Sequence, residues 1–135
     1  MWRELNNAVL NIKTYADLSP DLSVRRQIHQ GWRSRPERSP DDWYRSFWQP
    51  ISVSHDLSTF VYQQMESYSG LPFAKVTPMD RLTEDLQLPL VCWFDWEWDL
   101  CEDFHDRFGV EIRDRLDMSM LHTVRDLVIF LNQQL

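Results

Sequence analysis

Three glycines, two cysteines and no long apolar run set the first limits on this 135-residue chain. So few glycines leave little material for a loop that cradles phosphates with successive backbone N–H groups, which argues against a nucleotide-binding loop. Cys92 and Cys101 stand nine apart in one helical stretch and do not make a disulfide framework. They are expected to be reduced and partly buried. No apolar run approaches the roughly 18 residues that cross a bilayer. The N-terminal MWRELNNAVLNIK also lacks the basic start and apolar middle of a signal peptide. No membrane partner is therefore expected, and the chain reads as cytoplasmic. Alternating strand patterns, repeats and low-complexity tracts are absent too, so the expected fold class is all-α.

What is present is aromatic and acidic. Seven Trp and seven Phe in a chain that is 43% hydrophobic exclude disorder and supply the core of a single domain. The net charge of −7 is unevenly spread. Residues 1–50 carry eight Lys+Arg against six Asp+Glu (+2), and residues 51–135 carry six against fifteen (−9). An acidic body repels phosphates, so nucleic acid is not an expected partner. Arg25, Arg26, His29, Arg33, Arg35 and Arg38 form a thin basic stretch. It reads as a solvated face and loop, with an arm that grips an acidic partner as the alternative.

Cap signals divide the chain. Leu5, Val9 and Ile12 have helical spacing, and Ser19-Pro20 marks a break with a new start at Asp21 to Ser23. In SPDDWYRSFWQP, Ser39 caps, Pro40 suits the first helical position, and Asp41 and Asp42 favour the positive end of the helix dipole. There Trp43 pairs with Phe47 and Tyr44 with Trp48 at i,i+4 before Pro50 ends the segment. Ser54 caps a helix whose Leu57, Phe60, Val61, Met65 and Tyr68 form one stripe, closed by Gly70. Thr77, Pro78 and Asp80 predict another short helical turn, stopped by Pro89. The last helix starts at Thr123 with Asp126 as its capping acid, and buries Val124, Leu127, Val128 and Leu131.

VCWFDWEWDLCEDFHDRFGV, residues 91–110, mixes three Trp and three Phe with six acids and one Arg. At about 100° per residue, Phe94, Trp98, Cys101, Phe104 and Phe108 share one helical face, with Leu100 at its edge. Asp95, Asp99, Glu102, Asp103 and Asp106 occupy the opposite arc, and Trp96 falls at its border. Gly109 terminates the helix. Cys101 and His105 stand i,i+4, the spacing of two ligands, but without the paired C-x-x-C that makes a zinc site convincing. A cysteine on the core side is also inert as a nucleophile.

Three segments in order carry a resemblance. KVTPMDRLTEDLQL is similar to the loop that ends in E-D-L-G in acyl carrier proteins, with Gln87 in place of the Gly. DLCEDFHDRFGVEI resembles their second helix, E-L-x-x-x-L-E-E-x-F-x-x-x-I, and HTVRDLVIFL their closing helix, T-V-x-x-L-x-x-x-I. The resemblance covers residues 51 to about 133. It implies an acyl carrier protein-like helical bundle over residues 51–135, with residues 1–50 as a helical N-terminal extension packed on it. The family attaches phosphopantetheine to a Ser in D-S-L that would fall at or near Phe94, yet no Ser occurs from Gly70 to Met118. The chain thus looks like serine-less carrier-like bacterial proteins, with no cofactor to carry. In the family the second helix meets basic patches on partner proteins. The implied role is a non-enzymatic interaction module that docks a basic protein surface through Asp95, Trp96, Asp99, Glu102, Asp103 and Asp106. Two other readings stay open. One is an acidic inhibitor or immunity-type protein whose arc mimics nucleic-acid phosphates. The other is a small metal or thiol protein that uses Cys101 and His105.

Overall fold

Cap chemistry sets most helix ends in the computed structural model, which describes residues 19–135. The spacing of Leu5, Val9 and Ile12 lies outside the described residues. The Asp21 carboxylate accepts from the Ser23 and Val24 N–H groups and opens α1, Leu22–Gly31. Ser39 accepts from Asp42 N–H, and Pro40 stands at the first position of α2, Pro40–Trp43. Ser54 caps α3, His55–Ser69, which Gly70 ends at φ 67°. A left-handed residue there suits glycine. Two later helices are α4, Leu88–Val91, and α5, Trp96–Phe108, the latter ended by Gly109 at φ 73°. The last is α6, Val124–Gln133, which opens on a complete capping box between Thr123 and Asp126. No strand occurs among the described residues, only an isolated bridge between Arg81 and Thr123. The all-α expectation holds for them.

α2 does not stop at Trp43. It runs on as a π-helical turn, Tyr44–Trp48, and a 3₁₀ turn, Gln49–Ile51. An i→i+5 turn aligns residues five apart. Trp43 and Trp48, both fully buried, therefore meet edge to face at 5.2 Å between ring centroids. The i,i+4 pairs expected from an α-helix give way to this one. Tyr62 and Phe73 close on Trp43 at 5.4 and 6.0 Å. The Trp43 indole N–H donates to Val76 O at 2.8 Å, and the Tyr62 hydroxyl donates to Arg38 O at 2.8 Å. Phe60, Phe104 and Phe108 form a second ring cluster, with centroids 4.9 to 5.9 Å apart. Both clusters belong to one buried core, to which residues 19–50 contribute Ile28, Trp32, Trp43 and Trp48.

Backbone and charge contacts fasten that segment. Asp21 N–H donates to Leu90 O at 2.8 Å, and Arg38 N–H to Ala74 O at 2.8 Å. The Arg25 guanidinium donates to Val91 O at 2.9 Å. Arg35 grips the buried Asp80 through two bonds, of 2.7 and 3.0 Å. Four of the six residues of the thin basic stretch are therefore used internally: Arg25, Arg35, Arg38 and His29, whose ring nitrogen lies 2.9 Å from Gly70 O.

Two expected elements differ. Residues 77–86 form turns in place of a helix. Asp80 does accept from Thr77 N–H at 2.7 Å, as a capping acid would. The chain after it is then drawn to the residues before α6: Leu82 N–H donates to His122 O at 2.8 Å and Val124 N–H to Asp80 O at 2.9 Å. Pro89 also opens α4 in place of stopping a helix, since a first-turn proline loses no intrahelical hydrogen bond.

Candidate docking site on α5

The stretch 91–110 is two elements. α4 ends at Val91, Cys92 is extended at ψ 161°, and Asp95 precedes the first residue of α5. This break resets the helical phase. α5 buries Trp96, Leu100, Cys101 and Phe104, with Phe108 half-buried. The apolar stripe is thus centred between Leu100 and Phe104, not on the line from Phe94 to Phe108.

Trp96 is the main correction. Placed beside the acids as an exposed anchor, it is only 6% exposed, with its ring 6.5 Å from that of Tyr68. It stands four residues before Leu100 and eight before Phe104, so its indole joins the core face. Phe94 and Trp98 were expected inside and lie outside, at 66% and 57% exposure. Phe94 precedes the helix, so the helical phase does not reach it. Trp98 lies roughly 200° around the helix from both Trp96 and Leu100.

The acidic arc lies where the spacing puts it. Asp95, Asp99, Glu102 and Asp106 are exposed, and Asp103 is half-buried. Neither Asp95 nor Asp99 has an ion-pair partner among the described residues. Partial burial, then the neighbouring carboxylates of Asp95, Asp103 and Glu102, hold the Asp99 carboxyl above its usual range. Glu102 meets Arg113 at 3.4 Å, and among the described residues Asp106 faces the ring of its neighbour His105, at 4.0 Å. Asp103 accepts a short hydrogen bond from the Tyr68 hydroxyl. Burial and that bond push the Tyr68 phenol far above its usual range. Asp103 is therefore partly structural and Glu102 is paired with Arg113, while Asp95 and Asp99 have no ion-pair partner among the described residues.

Arg113 also covers one exposed aromatic. Its guanidinium carbon lies 4.3 Å from the Trp98 ring centroid, and its nitrogens reach Glu102 and Glu111 at 3.4 and 3.8 Å. This surface already holds one guanidinium between an indole face and two carboxylates, the arrangement favoured by cation–π attraction.

The sixth acid of the stretch, Glu97, was outside the expected arc. It stands seven residues before Phe104 and four before Cys101, so its stem leans toward the cleft while the residue stays exposed. That spacing was the signal for it. At the open end of α5 it lines an apolar cleft of about 310 Å³ with Trp96, Leu88 and Leu121. Burial, then Asp117, raises its carboxyl above the ordinary range.

Cys101 and His105 stand in different surroundings. The thiol is buried and pushed up by that burial, and the imidazole stands in solvent on the acidic side. Burial pushes Cys92 to about 12. No group of three or more His, Cys, Asp or Glu among the described residues is arranged to hold a metal.

Comparison of the chain with protein-family models, with curated proteins and with solved structures gives no match.

Proposed function

We propose that this chain is a non-enzymatic protein-interaction module, an acyl carrier protein-like bundle that carries no cargo and docks a basic partner surface through α5. The observation that carries the reading is the crowding of carboxylates on one exposed helix face, two of them without a cation, next to exposed Phe94 and Trp98. Charge of one sign steers a partner of the other, and exposed aromatic rings beside it give the encounter something to hold. Asp95, Asp99, Glu102 and Asp106 do the steering. Asp103 orients Tyr68, and Trp96 supports the face from below.

Two features support the carrier-like part, taken over residues 51–135 with residues 1–50 as its extension. α3, α5 and α6 follow one another in the order that the resemblance implies. Gln87, in place of the Gly of E-D-L-G, has φ 52°, a left-handed conformation that favours glycine. Phe94 stands in the turn into α5 where the family has its Ser, so no hydroxyl is present to hold a phosphopantetheine arm. Two unpaired, buried thiols suit a cytoplasmic setting.

The reading is tested by capture from a native extract on the immobilised chain, with mass spectrometry of what is retained. Basic proteins should be held by the wild type and lost on Asp99→Lys/Asp106→Lys, both positions being exposed. Retention of the same proteins by both chains would remove the docking face. Release of those partners by added DNA or RNA would instead favour phosphate mimicry. Incubation with a broad-specificity phosphopantetheinyl transferase and coenzyme A should leave the intact mass unchanged, and a gain mapped to residues 91–100 would end the cargo-free reading.

A further inference from the structure

The cleft at the open end of α5 does not stand alone. Leu82, Leu88, Met118 and Leu121 wall it, and Trp96 forms its inner side. Phe94 and Glu97 line both this cleft and a shallower depression that runs out to Asp95 and Trp98. The two therefore make one strip, apolar at one end and aromatic at the other, with carboxylates between. Among the described residues no Lys, Arg or His lines either part. Asp95 and Glu97 are the ionisable side chains among its lining residues, Asp117 lies near enough to Glu97 to act on its charge, and Arg113 sits over the Trp98 ring at the far end.

We infer that this strip is the anchor site for a basic segment of the docking partner, one that places a large apolar side chain in the cleft and an adjacent Lys or Arg against Glu97. Three observations select that occupant. An apolar pocket of about 310 Å³ lies at the small end of the range for ligand sites, a size that suits a side chain. Glu97, exposed at the cleft edge and raised by partial desolvation and Asp117, has no cation partner among the described residues and gains from a cation brought by the occupant. The far end of the strip already holds a guanidinium on Trp98, which gives the geometry for another. An acidic or purely apolar segment meets the first condition and fails the other two. The inference rests on the docking reading and adds to it what the partner inserts.

The probe is a short synthetic peptide with one leucine flanked by arginines. Two controls go with it, one with alanine for the leucine and one with glutamates for the arginines. Calorimetric titration of the full-length chain should show binding by the leucine–arginine peptide, roughly tenfold weaker binding by the alanine version, and none by the glutamate version. Thr83 is exposed on the cleft wall, so Thr83→Trp fills the cleft without touching the core or the charge. In that variant the leucine and alanine peptides should bind alike. Glu97→Gln should weaken both arginine peptides while preserving the preference for leucine. Equal affinity of the leucine and alanine peptides for the wild type would overturn the cleft and leave docking by charge in place. Unchanged affinity in Glu97→Gln would overturn the proposed cation contact. A leucine preference that survives in Asp99→Lys/Asp106→Lys at undiminished affinity would support the cleft and sink the docking face instead.

Discussion

Two parts of this molecule are rich in tryptophan and use it in opposite ways. Around α2, Trp43 and Trp48 are fully buried, and the indole N–H of Trp43 is bonded to Val76 O. At the entrance to α5, Phe94 stands in water and Trp98 is exposed under the Arg113 guanidinium, both beside unpaired carboxylates. What separates the two is the partner that the ring has. A π turn brings Trp48 onto Trp43, and α3 supplies Tyr62, whereas no described element packs over Phe94. Burial of a large ring is worth a few kcal/mol at roughly 25 cal/mol per Å², so exposed rings forgo stability. Exposed apolar surface of this kind is where binding is to be sought.

The comparison breaks most visibly within one residue type. Phe104→Ala should cost about 3–5 kcal/mol, a large part of a small domain's stability, because the ring is fully buried between Phe60 and Phe108. Phe94→Ala should change stability by no more than about 0.5 kcal/mol. Chemical denaturation of both variants measures the contrast, and similar losses would show that the two rings share an environment after all. Arg35→Ala should come next, at about 1–3 kcal/mol, because it leaves the buried Asp80 carboxylate with the Thr77 N–H and without its cation. Gly70→Ala should cost about 1–2 kcal/mol, since the residue is left-handed and a Cβ there would come within 2.8 Å of the Arg25 guanidinium.

The smallest effect concerns the acid face itself. Asp99 is held above its usual carboxyl range, so its charge is less favourable in the folded chain than in the unfolded one. That penalty is full at neutral pH. It shrinks as pH falls through the raised pKa, and it is gone below the ordinary carboxylate range. Asp99→Asn should therefore stabilise the chain slightly at neutral pH and lose the advantage in acid. Asp126 has the reverse sign. Backbone N–H bonds from His122 and Thr123 depress its pKa, so it stabilises the fold above the ordinary carboxylate range and ceases to do so as pH falls through the lowered value. Melts of Asp99→Asn and Asp126→Asn across pH should diverge in these directions, and parallel curves would contradict both assignments.

How much of this was legible depended on the reach of the interaction. Ser39, Ser54, Gly70, Gly109 and the Thr123–Asp126 box act over three or four residues, and each ends its helix where the sequence put the boundary. Asp80 gave the same local signal. Arg35, far off in sequence, took its carboxylate, and the backbone after it paired with the residues before α6. The break from Cys92 to Asp95 carries no proline or glycine, so nothing local announced it. Once it was missed, the phase of α5 was set from Phe94, and Trp96 and Trp98 exchanged places. Asp99, Glu102 and Asp106 kept their arc because they lie away from Leu100 and Phe104 in either phase, whereas Asp103 stands at the edge of the buried stripe and is half-buried. Glu97 was readable as a cleft-edge residue from its distance to Phe104, although it remains exposed like its neighbours.

The central claim is that the face of α5 bearing Asp95, Asp99, Glu102 and Asp106 docks a basic partner, and the kinetics of association test it most directly. A captured partner would be bound to the wild type and to Asp99→Lys/Asp106→Lys at a series of salt concentrations, with on-rate and off-rate read separately. Electrostatic steering predicts a wild-type on-rate that falls steeply as salt rises, and a variant whose on-rate is low and nearly flat. Equal on-rates for the two chains at every salt concentration would contradict it, and the acids of α5 would then serve to keep the surface wet.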